Sequence, residues 1–166
     1  MNFPQKEFNE NIGGISGFVF IPWNHVRAIP NPVNGIIKTP LSLHPQRTWF
    51  SAYASKDSLS FSQEMSSTRA GKFFELTLNG VFPNPSRDVL NLFKNLATYR
   101  FFVIFRDRNF VYRFMGYERF PMEFSFSEKT GSRSSDLSGY SFTFSGRQPV
   151  PCLIYHVDSG MPNPEF

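Results

Sequence analysis

Side-chain catalysis needs titratable groups held close together, and this sequence offers few at a useful spacing. The histidines are His25, His44 and His156. No two of them lie two or four residues apart, and His156, four residues from the single cysteine, makes only one pair, short of the three or four ligands a metal site needs. Cys152 sits between Pro151 and Leu153, the setting of a buried, inert thiol rather than a nucleophile. Glu118, Glu123 and Glu128 invite a carboxylate pair, but the odd spacing of Glu123 and Glu128 puts them on opposite faces of a strand. The chain has no Gly-x-Ser-x-Gly elbow, no phosphate-binding loop and no glycine-rich strand-to-helix turn. No enzymatic activity is expected, and the residues call for no metal and no cofactor.

Arginine interleaved with aromatics is a different chemistry. "RFFVIFRDRNFVYRFMGYERF" (100–120) carries Arg100, Arg106, Arg108, Arg113 and Arg119 among its rings. Single-stranded nucleic acid is gripped this way, with bases stacked on rings and phosphates met by guanidinium groups. Arg106, Arg113, Phe110 and Tyr112 are the candidates for that function. The competing reading places the aromatics in the core and the arginines in turns and on the wetted side, and the apolar density favours it. Trp23 and Trp49 are candidates for a carbohydrate-binding sandwich.

The third pattern is a surface. "MEFSFSEK" and "GYSFTFSG" place a large apolar residue at every second position, with Glu123, Ser125 and Ser127 between in the first and Ser141, Thr143 and Ser145 in the second. Such alternation is a half-buried strand. "SLSFSQE" (58–64) and "FFELTL" (73–78) behave alike, with Ser60, Ser62, Glu64 and Glu75 opposite the apolar set. None of the chain's 17 Lys and Arg falls within 58–64, 73–78, 120–128 or 140–146. The faces opposite the core are therefore expected to be hydroxyl-rich and neutral to acidic. Cations on such a wall would capture passing phosphates by counterion release, and hydroxyls and carboxylates would not.

The elements that position these residues follow from pattern and punctuation. With 21 Phe, 13 Pro and 11 Gly in 166 residues, short aromatic-rich strands are favoured over long helices. "ISGFVFIP" (15–22), "TWFSAYA" (48–54), 58–64, "GKFFELTLNGVFP" (71–83), "RFFVIF" (100–105), "FVYRFMG" (110–116), the two serine-rich strands and "PCLIYHV" (151–157) read as strands. The run 100–105 is apolar throughout, as in a strand covered on both faces. One helix is expected over 86–97, capped by Ser86 and bearing Val89, Leu90, Phe93, Leu96 and Ala97 on one stripe. The fold class is mainly β: an antiparallel β-sandwich or half-barrel with one flanking α-helix. Residues 15–157 form a single domain, 1–14 an arm and 158–166 a flexible tail. The proline-rich stretch 22–47 packs either on its own core or on another subunit. Trp23, Ile29, Val33, Ile36, Ile37 and Leu41 are its candidate inter-ring or inter-subunit contacts. The net charge of +4 and pI near 9.4 fall short of a dedicated nucleic-acid binder. A lone cysteine, and no apolar run of about 20 residues, call for neither an oxidising compartment nor a membrane partner.

The order of these elements resembles the tail tube-like structural proteins of tailed bacteriophages, including those of phages of gut Bacteroidetes. The likeness covers roughly residues 50–155. It rests on the Asp107–Gly116 hairpin, on "GYSFTFSG" (Gly139–Gly146) followed by Pro149, and on the helix "SRDVLNLFKNL" set before the apolar strand. The resemblance implies a β-sandwich subunit that assembles into stacked homo-oligomeric rings, usually of six. Strands of each subunit would close a barrel through which DNA leaves the capsid without being specifically bound. It implies no catalytic residues and a place in the virion tail among other phage tail proteins, after assembly in the host cytoplasm. Ser60, Ser62, Glu64, Glu75, Glu123, Ser125, Ser127, Ser141, Thr143 and Ser145 would then face the bore.

Overall fold

A computed structural model of the chain describes residues 13–69, 71–83, 85–129 and 139–156. Its strands are β1 (Ile15–Pro22), β2 (Val26–Ala28), β3 (Ile36–Ile37), β4 (Ser42–Leu43), β5 (Phe50–Ser51), β6 (Ser60–Thr68), β7 (Gly71–Pro83), β8 (Arg100–Asp107), β9 (Tyr112–Met115), β10 (Met122–Lys129), β11 (Gly139–Gln148) and β12 (Leu153–Tyr155). One helix, α1 (Arg87–Leu96), separates β7 from β8. The chain is mainly β, as its alternation required. The expected arm and tail, and the serine-rich stretch 130–138, fall mostly or wholly outside the described residues.

Two layers meet at β8. The first is the antiparallel sheet β6–β7–β11–β10. At its last strand, Met122 and Glu123 of β10 pair with Phe101 and Arg100 of β8. On the same edge β8 continues with β9 over Val103–Arg106, while β1 lines its other edge from Asp107 to Phe101. β12 follows β9, and β3 joins β12 in parallel. The Phe101 ring packs on Phe124 of β10 and Phe144 of β11, at 6.3 and 5.6 Å, whereas Phe105 sits 4.7 Å from Phe61 of β6. β8 therefore crosses the four-stranded sheet from β10 to β6, and the sheet folds over on itself as a half-barrel.

Both faces of β8 are buried, as its unbroken apolar run predicts. Phe101, Val103 and Phe105 join Phe18 and Phe20 of β1 against Leu76, Leu78, Phe124, Phe142 and Phe144. Phe102 and Ile104 join Val19, Ile21, Phe114, Leu153 and Tyr155 in a second core. Gly80 of β7 lies beneath the Phe142 ring, where any Cβ would overlap it. Helix α1 closes the open end of the first core. Ser86 Oγ accepts the Val89 N–H at 3.3 Å, which satisfies an otherwise orphaned donor. Phe93 anchors the helix, its ring within 5.8 Å of Phe82, Phe124, Phe126 and Tyr140.

The proline-rich excursion folds over its own chain, and this corrects part of the contact surface expected from sequence. Ile37 and Leu41 are buried in the second core, with Ile29 packed against it, so these three are not available to another subunit. Ile36 is half-buried and pairs with Ile154 of β12. Trp23 and Val33 remain exposed. The strand expected over 48–54 shrinks to β5, because the chain there passes around the edge of β1. Trp49 turns into the second core and Ala52 and Ala54 into the first. β9 starts at Tyr112 rather than at residue 110, because Phe110 closes the turn with a left-handed φ of 63°.

Truncating the helix anchor, Phe93→Ala, is expected to cost about 3–5 kcal/mol of unfolding free energy, measured by denaturant titration. A loss below about 1 kcal/mol would show that the four rings around it are not what holds α1.

Candidate functional site

The strand register brings all ten of the serine-face residues onto one surface. In β6, Phe61 points to the core, so Ser60, Ser62 and Glu64 point away. In β7 the outward set includes Glu75, Thr77 and Asn79, in β11 it includes Ser141, Thr143 and Ser145, and in β10 Glu123, Ser125 and Ser127. Cross-strand pairing arranges them in rows. Ser60, Asn79, Thr143 and Ser125 form one, and Ser62, Thr77, Ser145 and Glu123 the next. Thr143 Oγ1 donates to Asn79 Oδ1 at 2.8 Å within its row. No group of His, Cys, Asp or Glu placed to hold a metal ion stands on this face among the described residues.

The face is not free of cations, contrary to expectation. β11 runs on through Gln148, so Arg147 falls on the outward side beside Glu75, which it meets at 2.6 Å; its guanidinium also covers the Phe73 ring. Arg100 opens β8 opposite Glu123 and pairs with it at 2.6 Å. These four side chains and Arg119 line a cleft of about 440 Å³ at one corner of the sheet. Arg100 and Arg147 are each matched to a carboxylate of the same face, and among the described residues Arg119 is not. Glu64 stands directly across from Glu75, a like-charged pair that Arg147 offsets. Sequence reading missed Arg147 because the apolar alternation stops at Gly146, and Arg100 because its partner is set by a long-range pairing.

Two edges of this sheet are open. β6 is terminal along its whole length and carries no lysine. β10 pairs with β8 only at Met122 and Glu123, so its outer edge is unpaired beyond that point among the described residues. Unpaired edges without blocking charge are templates for another strand.

The rival candidates are placed elsewhere. Arg106, Arg108 and Arg113 all belong to the β8–β9 hairpin, in the other layer. Arg113 is tied to Asp107 at 3.5 Å, and Arg108 bonds Asp57, whose carboxyl it holds below the usual range. Arg106 lies over one face each of the Phe110 and Tyr112 rings, while Phe110 remains largely exposed. Trp49 is partly buried in the second core, whereas Trp23 is exposed. Cys152 is half-buried; its backbone N–H donates to Gln63 Oε1 and its thiol to the Phe114 carbonyl. Burial pushes that thiol up to about 12, with Arg113 only partly opposing the shift. Comparison of the chain with protein-family models, with curated proteins and with solved structures finds no match in any of the three.

Two outcomes follow. Arg147→Ala should lower stability by roughly 0.5–1 kcal/mol at low salt, with the loss shrinking as salt is added; a loss independent of salt would contradict the electrostatic role given to the pair. At pH 8, maleimide should label Cys152 roughly a thousandfold more slowly in the native chain than in urea. Equal rates would show that the thiol is not enclosed.

Proposed function

We propose that the chain is a non-enzymatic structural subunit of the bacteriophage tail-tube type, which self-assembles edge to edge into rings whose hydroxyl-rich face lines a conduit for DNA. The observation that carries this reading is a four-stranded sheet with one polar face, one greasy face and an open edge on each side. A sheet of this kind buries its apolar face on its own chain and leaves only backbone edges unsatisfied. Joining β6 of one copy to β10 of the next satisfies both and places every outward row on the same side.

Size is compatible with the role. Six copies of four strands, spaced by about 4.8 Å and tilted by about 40°, would enclose a barrel roughly 48 Å across between backbones. That leaves room for a duplex after the inward side chains are counted. Ion pairing within each subunit supports the same reading, because Arg100 and Arg147 enter the face already matched to Glu123 and Glu75. A bore so lined would hold no run of free cations to exchange for counterions along the phosphate backbone. The partners are further copies of the chain, other tail proteins and DNA in transit, and the site of action is the virion tail.

The purified chain, examined by negative-stain microscopy and size exclusion, should give rings or tubes with a central hole, and should leave a labelled single-stranded oligonucleotide unshifted. A monomer at high concentration that retards the oligonucleotide would replace this reading with the nucleic-acid-binding one.

A further inference from the structure

An apolar groove of about 600 Å³ runs between the end of β1, the segment 50–53 and helix α1, and reaches the phenylalanine floor of the first core. Its rim is unusually greasy for a surface: Phe50, Tyr53, Leu92 and Tyr99 are all exposed there, and Trp23, half exposed, follows Pro22 of the lining. One wall carries the Arg47 guanidinium beside His25, whose imidazole is held below its ordinary range by burial and by Arg47; the His44 backbone N–H donates to the His25 carbonyl. His25 Nδ1 is buried with no hydrogen-bond partner, and no carboxylate pairs with Arg47 among the described residues. The groove thus fits a segment that supplies aromatic bulk next to carboxylates.

The chain carries such a segment outside the described residues. Residues 1–12, "MNFPQKEFNENI", set Phe3 and Phe8 among polar residues, with Glu7 and Glu10 flanking Phe8. Twelve extended residues reach about 40 Å. Where this segment joins the fold argues for a contact between copies. It enters at Gly13 and Gly14, beside Arg108, whose N–H bonds the Gly14 carbonyl, so it leaves at the Asp107 end of β8. The groove lies at the Phe101 end, and its lining includes Phe124 of β10 and no residue of β6. Six residue steps, about 20 Å, separate Phe101 from Asp107. Exit on the β6 side and groove on the β10 side have the polarity of a head-to-tail contact. It is the same sense in which β6 of one copy would meet β10 of the next.

We propose that residues 1–12 of one copy dock in the Phe-lined groove of the neighbouring copy, with Phe8 in the cavity and Glu7 or Glu10 on the His25–Arg47 wall. The inference rests on the assembly reading only for the choice of neighbour; the groove and its occupant stand on their own residues.

The test uses the full chain with its own segment disabled, Phe3→Ala/Phe8→Ala, and a fluorescent peptide of sequence MNFPQKEFNENI followed by polarisation. Saturable binding is expected, weakened at least tenfold by Phe8→Ala in the peptide and by Leu92→Glu or Arg47→Glu in the protein. Partial recovery is expected when Glu7→Lys peptide meets the Arg47→Glu protein. Binding that is absent, or indifferent to both groove substitutions, overturns the proposal. Mixing the segment-disabled chain with a Leu92→Glu chain should produce a heterodimer, since one donates the segment and the other the groove. No association in that mixture would assign the groove to the chain's own segment and overturn the contact between copies. Rings formed by the segment-disabled chain as readily as by the native one would also overturn it while leaving edge pairing intact. Peptide binding by a chain that never forms rings would support the groove and remove the edge assembly.

Discussion

The strand Arg100–Asp107 is the constraint on which the rest depends. It is buried on both faces, so five consecutive apolar residues feed two cores in alternation: Phe101, Val103 and Phe105 to one, Phe102 and Ile104 to the other. Each such burial is worth roughly 1.5–3 kcal/mol, and together they rival the whole net stability of a domain this size. Because β8 is shared, its direction sets how the second layer crosses the first. It also decides that the four-stranded sheet buries only one of its faces. The other face is left to water or to whatever passes along it.

That unburied face has two properties that belong together. Hydroxyls and amides fill its middle rows, and two of its carboxylates are met by guanidiniums from the same chain, Glu75 by Arg147 and Glu123 by Arg100. The sheet nevertheless ends in strands whose outer edges are unpaired among the described residues. β6 presents its whole backbone edge, and β10 presents most of one. Long flat edges are normally blunted by lysine, proline or a covering loop. Among the residues of β6 none of these devices occurs. A neutral face with open edges supports the proposal that copies of the chain complete the sheet.

Much of this was legible in the amino-acid order, and the parts that were not share a physical cause. β1 and β7 have the boundaries that proline, glycine and alternation mark, and the capping of α1 by Ser86 is a local signal of the same kind. The ten outward residues could be gathered because period two places them on one side once the core side is known. The failures are non-local. Ile37 and Leu41 read as contacts for a neighbour because nothing nearby in sequence discloses that Tyr155 and Phe102 are waiting to cover them. Arg100 joins the polar face only through its pairing with Glu123. The groove beside Leu92 is enclosed by several elements at once, so no single segment announces it.

The central claim is that β6 and β10 of different copies lie side by side with their polar residues on one surface. Cysteine pairs test this directly: Ser60→Cys or Ser62→Cys on β6, combined with Ser125→Cys or Ser127→Cys on β10, oxidised and run without reductant. One combination in register should give a ladder of covalent oligomers ending at the ring size. Controls with one new cysteine in a Cys152→Ala background, which face no thiol across the seam, should remain monomeric. Monomers alone from every pairing, at concentrations where the chain is shown to be folded, would contradict the account.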